Sequence, residues 1–273
     1  MKQRRSEELP QGDSKKKKSK LGTFFNILVP VICIGVFGYA AYNFWHIQDS
    51  YNVAVKEYKQ LEQFVQVRDL TEGAGSESGF PDVEIDFDSL HDINPDVVGW
   101  ILIPALDLSY PVMQGTDNDY YLHHTLEGTE NASGSIFLDS ESRPDLEDRN
   151  TFCYGHNMRN LSMFGSLKRF RQEEGLCDSD PYFYLFTPGN GYKYHIFAYY
   201  VTKVGSQTYF NMYTDEQYDE YIEYVDSVSE YENGRLVDLS DRERLVTLST
   251  CSGSHSTNRM IVQGVLCSRY TIE

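Results

Sequence analysis

TLSTCSGSHSTNRMIVQG, residues 247–264, holds two β-branched apolar runs, one ending in a cysteine and one opening on an arginine, with only small or polar residues between them. Two such runs joined by a polar loop can pair as antiparallel strands. That pairing leaves Cys251 at the end of one strand and Arg259 at the start of the next, both at one end of a sheet. A thiol on a rigid strand end is suited to nucleophilic chemistry. A free thiol has a pKa near 8.5, so it needs a base or a positive neighbour to act at neutral pH. Arg259 cannot serve as that base, because it stays protonated, but its planar fork of donors suits a carbonyl oxygen that becomes an oxyanion.

Histidine is the usual base, and the chain has seven. His46, His91, His123, His124 and His195 read as structural or solvated. His255 lies only four residues from Cys251 within the polar loop. His156 ends the apolar run TFCYGH and opens the polar turn HNMRN, which places it too at a strand end. Spacing favours His156 over His255 and leaves both open.

Around this stretch the chain is built of short apolar runs bounded by Gly, Pro, Asn and Asp: VVGWILI, SYPVMQG, GSIFLD, TFCYGH, YKYHIFAYYV, RLVTLSTC and RMIVQGVLC. They predict a mainly β barrel or sandwich and not a parallel α/β sheet. Two helical interruptions are expected. One is SMFGSLKRF at 162–170; the other is DEQYDEYIEYVDSVSEYE at 215–232, whose Tyr218, Tyr221, Ile222, Val225 and Val228 form one apolar stripe opposite its acids. That acidic face reads as solvated, with cation binding the lesser possibility.

The chain of 273 residues has a net charge of −17. Residues 1–20 carry eight Lys or Arg against three Asp or Glu, a net of +5, which leaves −22 for the remainder and argues against a nucleic-acid partner. From Leu21 to Trp45 no residue is charged, a length sufficient to cross a bilayer core of about 30 Å as a helix. The lysines at 15–18 and 20 precede it, so residues 1–20 are expected in the cytoplasm, 21–45 in the membrane and the rest outside the cell. Tyr51, Val55, Tyr58, Leu61, Phe64 and Val65 follow at helical spacing, and TEGAGSESGFP at 71–81 breaks the pattern. Residues 46–80 are thus expected to be a helical stalk or a pack-on element with a Gly/Ser linker, and 81–273 the catalytic domain. Cys33 falls in the span, and Cys153, Cys177 and Cys267 show no CxxC or dense spacing, so they read as small buried residues. No nucleotide or metal motif is present, and no cofactor is implied.

Taken together, NPDVVGWILI, YPVMQGTDNDYYL, GSIFLD, YGHNM with MFGSLKRF behind it, and TLSTC followed by an Arg-led strand resemble the sortases, membrane-anchored cysteine transpeptidases of Gram-positive bacteria, and among them class B. The helix at 215–232 is similar to the one that separates class B from the plainer class A barrels. The resemblance implies a closed eight-stranded barrel, Cys251 as nucleophile, His156 rather than His255 as general acid/base, and Arg259 as oxyanion or substrate ligand. It also implies a peptide groove onto which Asn118, Leu122, Tyr154 and Ser249 would map. The implied partners are secreted proteins with a C-terminal sorting signal and an amine of a peptidoglycan precursor. A pilin-polymerising enzyme and a non-catalytic surface binding module with a merely structural Cys251 are the alternatives. Class B members often carry acids just after the cysteine, where this chain has SGS, and VTKVGSQTYF aligns too poorly to name groove residues within it.

Overall fold

The computed structural model describes residues 20–69, 79–251 and 257–271. The basic tail up to residue 19, most of the Gly/Ser linker and His255 lie outside the described residues. Two compact units are distinguished, Met1–Asp49 and Ser50–Glu273. In the first, helix α1 (Lys20–Leu61) begins, with Pro30 inside it. Its stretch Leu28–Trp45 has a mean hydropathy of 1.5 and no residue buried, so it is long and apolar enough to cross a membrane.

The second unit opens on the end of α1, where Tyr58 and Leu61 belong to the main core. Val65 departs from the helical reading. It opens β1 (Val65–Asp69), which pairs antiparallel with β2 (Asp82–Ile85) through Val65 opposite Ile85. The spacing of Leu61, Phe64 and Val65 satisfies a helix, but the β-branched Val65 finds a strand partner instead.

Helix α2 (Phe87–Ile93), capped by the Asp86 carboxylate on the Ser89 amide, leads into β3 (Val97–Ile103), and β4 (Leu108–Met113) returns beside it. The short α3 (Tyr120–His123) precedes β5 (Ile136–Leu138) and β6 (Asn150–His156). SMFGSLKRF forms a tight 3-10 segment, Phe164–Lys168, that continues into α4 (Arg169–Gln172), with α5 (Leu176–Ser179) beyond. Next come β7 (Tyr182–Thr187) and β8 (Asn190–Lys203), then α6 (Asp215–Val228), β9 (Leu245–Cys251) and β10 (Asn258–Thr271).

The strands close into a barrel in the order β10-β8-β7-β3-β4-β5-β6-β9, as the resemblance implied. The pairs β4–β5 and β6–β9 are parallel and the others antiparallel. Closure removes the exposed sheet edges that would otherwise invite pairing with other chains.

Helix α6 starts at a capping box of Thr214 and Gln217 and buries Tyr218, Tyr221 and Val225 against the barrel. Its acids Asp215, Asp219 and Asp226 pair with Arg149, Arg242 and Arg235. These three acids are exposed as well as arginine-paired. Cys153 and Cys177 are buried, with burial pushing the Cys177 thiol up to about 12. Cys267 is exposed rather than buried and donates its thiol proton to the Lys193 carbonyl.

Candidate active site

β6 and β9 run in parallel, with Tyr154 opposite Ser249 and His156 opposite Cys251 at the last rung. β10 returns antiparallel to β9 and pairs Ile261 with Ser249. That pairing ends at Ile261, two residues after Arg259, which stands near the start of β10. Next to it the Met260 amide donates to the Thr250 hydroxyl at 2.9 Å. Cys251, His156 and Arg259 therefore stand on neighbouring strands at one end of the barrel, as the opening stretch suggested. Arg259 is half-buried, with one guanidinium nitrogen 3.4 Å from the Asn258 carbonyl.

His156 is half-buried and its Nε2 lies 2.7 Å from the Leu122 carbonyl oxygen. A carbonyl can only accept, so Nε2 carries the proton and Nδ1 holds the lone pair of the neutral ring. Burial lowers the pKa of His156 below the ordinary histidine value, and the Leu122 hydrogen bond offsets part of that loss. A neutral ring with one fixed N–H and one open lone pair is prepared to take a proton. Behind the ring, Gly155 has no room for a side chain, since a Cβ there would lie 2.9 Å from the Phe164 ring. MFGSLKRF thus follows YGHNM because Phe164 packs directly against the strand that carries His156.

The residues mapped to the groove have uneven surroundings. The Asn118 carboxamide is committed at both ends, donating to Asp139 Oδ2 at 3.1 Å and accepting from the Ser140 amide at 2.8 Å. The Tyr154 hydroxyl donates to the same Asp139 oxygen at 3.0 Å. Leu122 contributes its carbonyl to His156. Ser249 is 1% exposed, and its hydroxyl meets the Tyr209 hydroxyl at 2.9 Å. Asp139 and Tyr209 were not identified from the sequence. Asp139 merely ends the run GSIFLD, and Tyr209 sits in the unaligned VTKVGSQTYF. Phe152, Tyr154, Tyr209 and Asp139, with Met212 and Glu147, line a cleft of ≈ 660 Å³ beside β6.

His91, His124 and His195 are engaged elsewhere. His91 Nε2 meets the Val97 carbonyl at 2.7 Å, His124 stacks on Tyr120, and His195 packs on the Tyr182 ring.

Residues 101–267 match the sortase domain family model. The chain is similar to sortase B of Listeria monocytogenes, at 35% identity over 66% of this chain and 73% of that protein. It is also similar to sortase B of Staphylococcus aureus, at 29% identity over 88% of this chain and 94% of that one. Among solved structures, sortase B of Bacillus anthracis superposes with a TM-score of 0.66 at 29% identity, covering 81% of this chain and all of that one. A Staphylococcus aureus sortase B–substrate complex superposes with a TM-score of 0.60 at 27% identity, covering 67% of this chain and 84% of that one. A cysteine and a histidine on the last rung of two parallel strands, the closed barrel around them and these relatives agree, and the chain belongs to the sortase family, class B, the cysteine transpeptidases.

Proposed function

We propose that this enzyme cuts a C-terminal sorting signal of secreted proteins and joins the new carboxyl end to an amine of a cell-wall precursor. The observation that carries the reading is the rung shared by His156 and Cys251 in the parallel β6–β9 pair. The Cys251 thiol gives its proton to His156 Nδ1, and the thiolate attacks the scissile carbonyl carbon. Arg259 and a backbone N–H hold the resulting oxyanion. The C–N bond breaks as the imidazolium returns its Nδ1 proton to the leaving amine, which leaves a thioester on Cys251. An acceptor amine loses a proton to Nδ1 and attacks that thioester. The C–S bond then breaks, and the thiolate is released to regain the proton. Leu122 keeps the same ring nitrogen at work in both halves, because its carbonyl engages Nε2 throughout.

The stretch Leu28–Trp45 serves as the anchor, with the basic tail in the cytoplasm and the barrel outside the cell. Tethering restricts the enzyme to the plane in which exported substrates and lipid-linked wall precursors meet it.

A library of quenched fluorescent peptides, with hydroxylamine as the amine, tests this reading. The wild type should cleave a subset and yield peptide hydroxamates, whereas Cys251→Ala should lose activity by at least a factor of about a thousand while keeping its fold. Hydroxamate formation retained by the folded alanine variant contradicts the assignment.

A further inference from the structure

Outside the residues already given a role, one buried side chain is linked through neighbouring groups to the Leu122 and Asn157 segments beside His156. Tyr58 comes from the segment that follows the apolar span and is 8% exposed. Its hydroxyl donates to the Gly134 carbonyl at 2.8 Å and lies 3.1 Å from Ser135 Oγ, which in turn donates to the His124 carbonyl at 2.9 Å. The Ser135 amide donates to the Tyr121 carbonyl at 2.8 Å. Gly134 sits at φ 53°, and a Cβ there would come within 2.6 Å of the carbonyl oxygens of Tyr121 and Leu122. The turn held by Tyr58 is therefore pressed against the very carbonyl that accepts from His156 Nε2.

On its other side the Tyr58 ring meets Tyr110 edge to face, with centroids 5.3 Å apart. The Tyr110 hydroxyl accepts from the Met163 amide at 3.4 Å, and Met163 bridges to Asn157, the residue after His156. Next to Tyr58, the buried Glu57 accepts from the Glu127 amide at 3.1 Å, so a second tie runs from the same helical turn to the same loop. Packing alone would be met by phenylalanine. What a phenylalanine cannot supply is the hydroxyl on the Gly134–Ser135 turn.

We propose that Tyr58 is a positioning residue for His156: its hydroxyl sets the Gly134–Ser135 turn, which seats the Leu122 carbonyl and fixes the Nε2–H of the ring. The C-terminal end of α1 thereby helps to position the acid/base of the reaction. This inference rests on His156 acting as the acid/base of the reaction.

The test uses the full chain in detergent micelles. Two quantities are measured in wild type, Tyr58→Phe and Ser135→Ala: solvent exchange of the His156 Nε2 proton by NMR, and alkylation of Cys251 by iodoacetamide at neutral pH, read on the Cys251 peptide by mass spectrometry. Both variants should exchange that proton about tenfold faster, as expected when a local opening becomes easier by one hydrogen bond. Alkylation should slow about three- to tenfold, because the thiolate loses its placed imidazole. Val225→Ala, in the separate core cluster beneath α6, lowers stability by truncating a buried side chain and should leave both readouts within twofold of wild type. Nε2–H exchange in Tyr58→Phe within twofold of wild type overturns the proposal, as does an equal acceleration in Val225→Ala. His156→Ala that still transfers peptides at the wild-type rate would overturn the acid/base reading, while the exchange result would still report on Tyr58.

Discussion

Gly134→Ala adds one methyl group against the carbonyls that frame His156. The new Cβ would sit 2.6 Å from the oxygens of Leu122 and Tyr121 and 2.9 Å from the Leu122 carbonyl carbon, where ordinary contact begins near 3.4 Å. Backbone carbonyls are not flexible side-chain ends, so they must withdraw by roughly 0.8 Å or the turn must open. Alanine also pays about 1–2 kcal/mol for the left-handed backbone at φ 53°. The combined loss of stability should be about 2–4 kcal/mol, measured by urea unfolding. The Leu122 oxygen accepts from His156 at 2.7 Å, and a displacement of that size carries the ring out of line or breaks the bond. Misplacement on the scale of 1 Å costs on the order of 10²-fold in rate, so hydroxylamine-dependent peptide transfer should fall about 10- to 100-fold below the temperature of unfolding. A variant that loses stability as expected yet transfers peptides within twofold of wild type would refute the reasoning, since Leu122 would then not govern His156.

Two further outcomes follow from the same geometry. Arg259→Lys keeps the charge but loses the fork, and one charged hydrogen bond lost from the transition state, about 1.5–3 kcal/mol, should slow acylation about 10- to 150-fold; a lysine variant acylating within about threefold of wild type would discard the oxyanion role. For His156 the sign is fixed by its lowered pKa: below the ordinary value near 6.5 the unfolded chain binds a proton that the native site resists, so stability falls with pH from about 6.5 down to the folded value. His156→Gln should lose less stability than wild type between pH 7 and pH 5 in urea melts, and parallel curves would contradict the burial of the ring.

The barrel was legible because its strands are short, apolar and punctuated. VVGWILI, TFCYGH and TLSTC coincide with β3, β6 and β9 or their ends almost residue for residue. β7 was not. YFYLFT lies between Pro181 and Pro188 and is buried along nearly its whole length, so it lacks the alternation that marks a half-buried strand. The reading of α6 held for its start and for its apolar stripe, since Tyr218, Tyr221 and Val225 are buried, but the helix expected over 215–232 ends at Val228, where Ser229 turns to extended backbone. Cys251, His156 and Arg259 were found as strand ends, since a residue type at a boundary is visible in a sequence. Their shared rung was not visible, because the parallel pairing of β6 with β9 joins segments some 95 residues apart. Leu122 was named only as a groove position implied by the resemblance, whereas it is its carbonyl that meets His156, and a backbone atom leaves no mark in residue identity. Tyr58 was read only as one apolar position on a helix; its hydroxyl acts on a turn 76 residues away, which periodicity does not encode.

The mechanism turns on a covalent intermediate at Cys251. Mass spectrometry of the intact protein, quenched in acid after mixing with a cleaved peptide and no added amine, detects it. The expected result is a mass increase equal to the N-terminal part of the peptide, mapped to the Cys251 peptide, formed with stoichiometric release of the C-terminal part and discharged by hydroxylamine. Cleavage that proceeds at the same rate with no adduct at any time, or with the adduct on Cys153, Cys177 or Cys267, would contradict it.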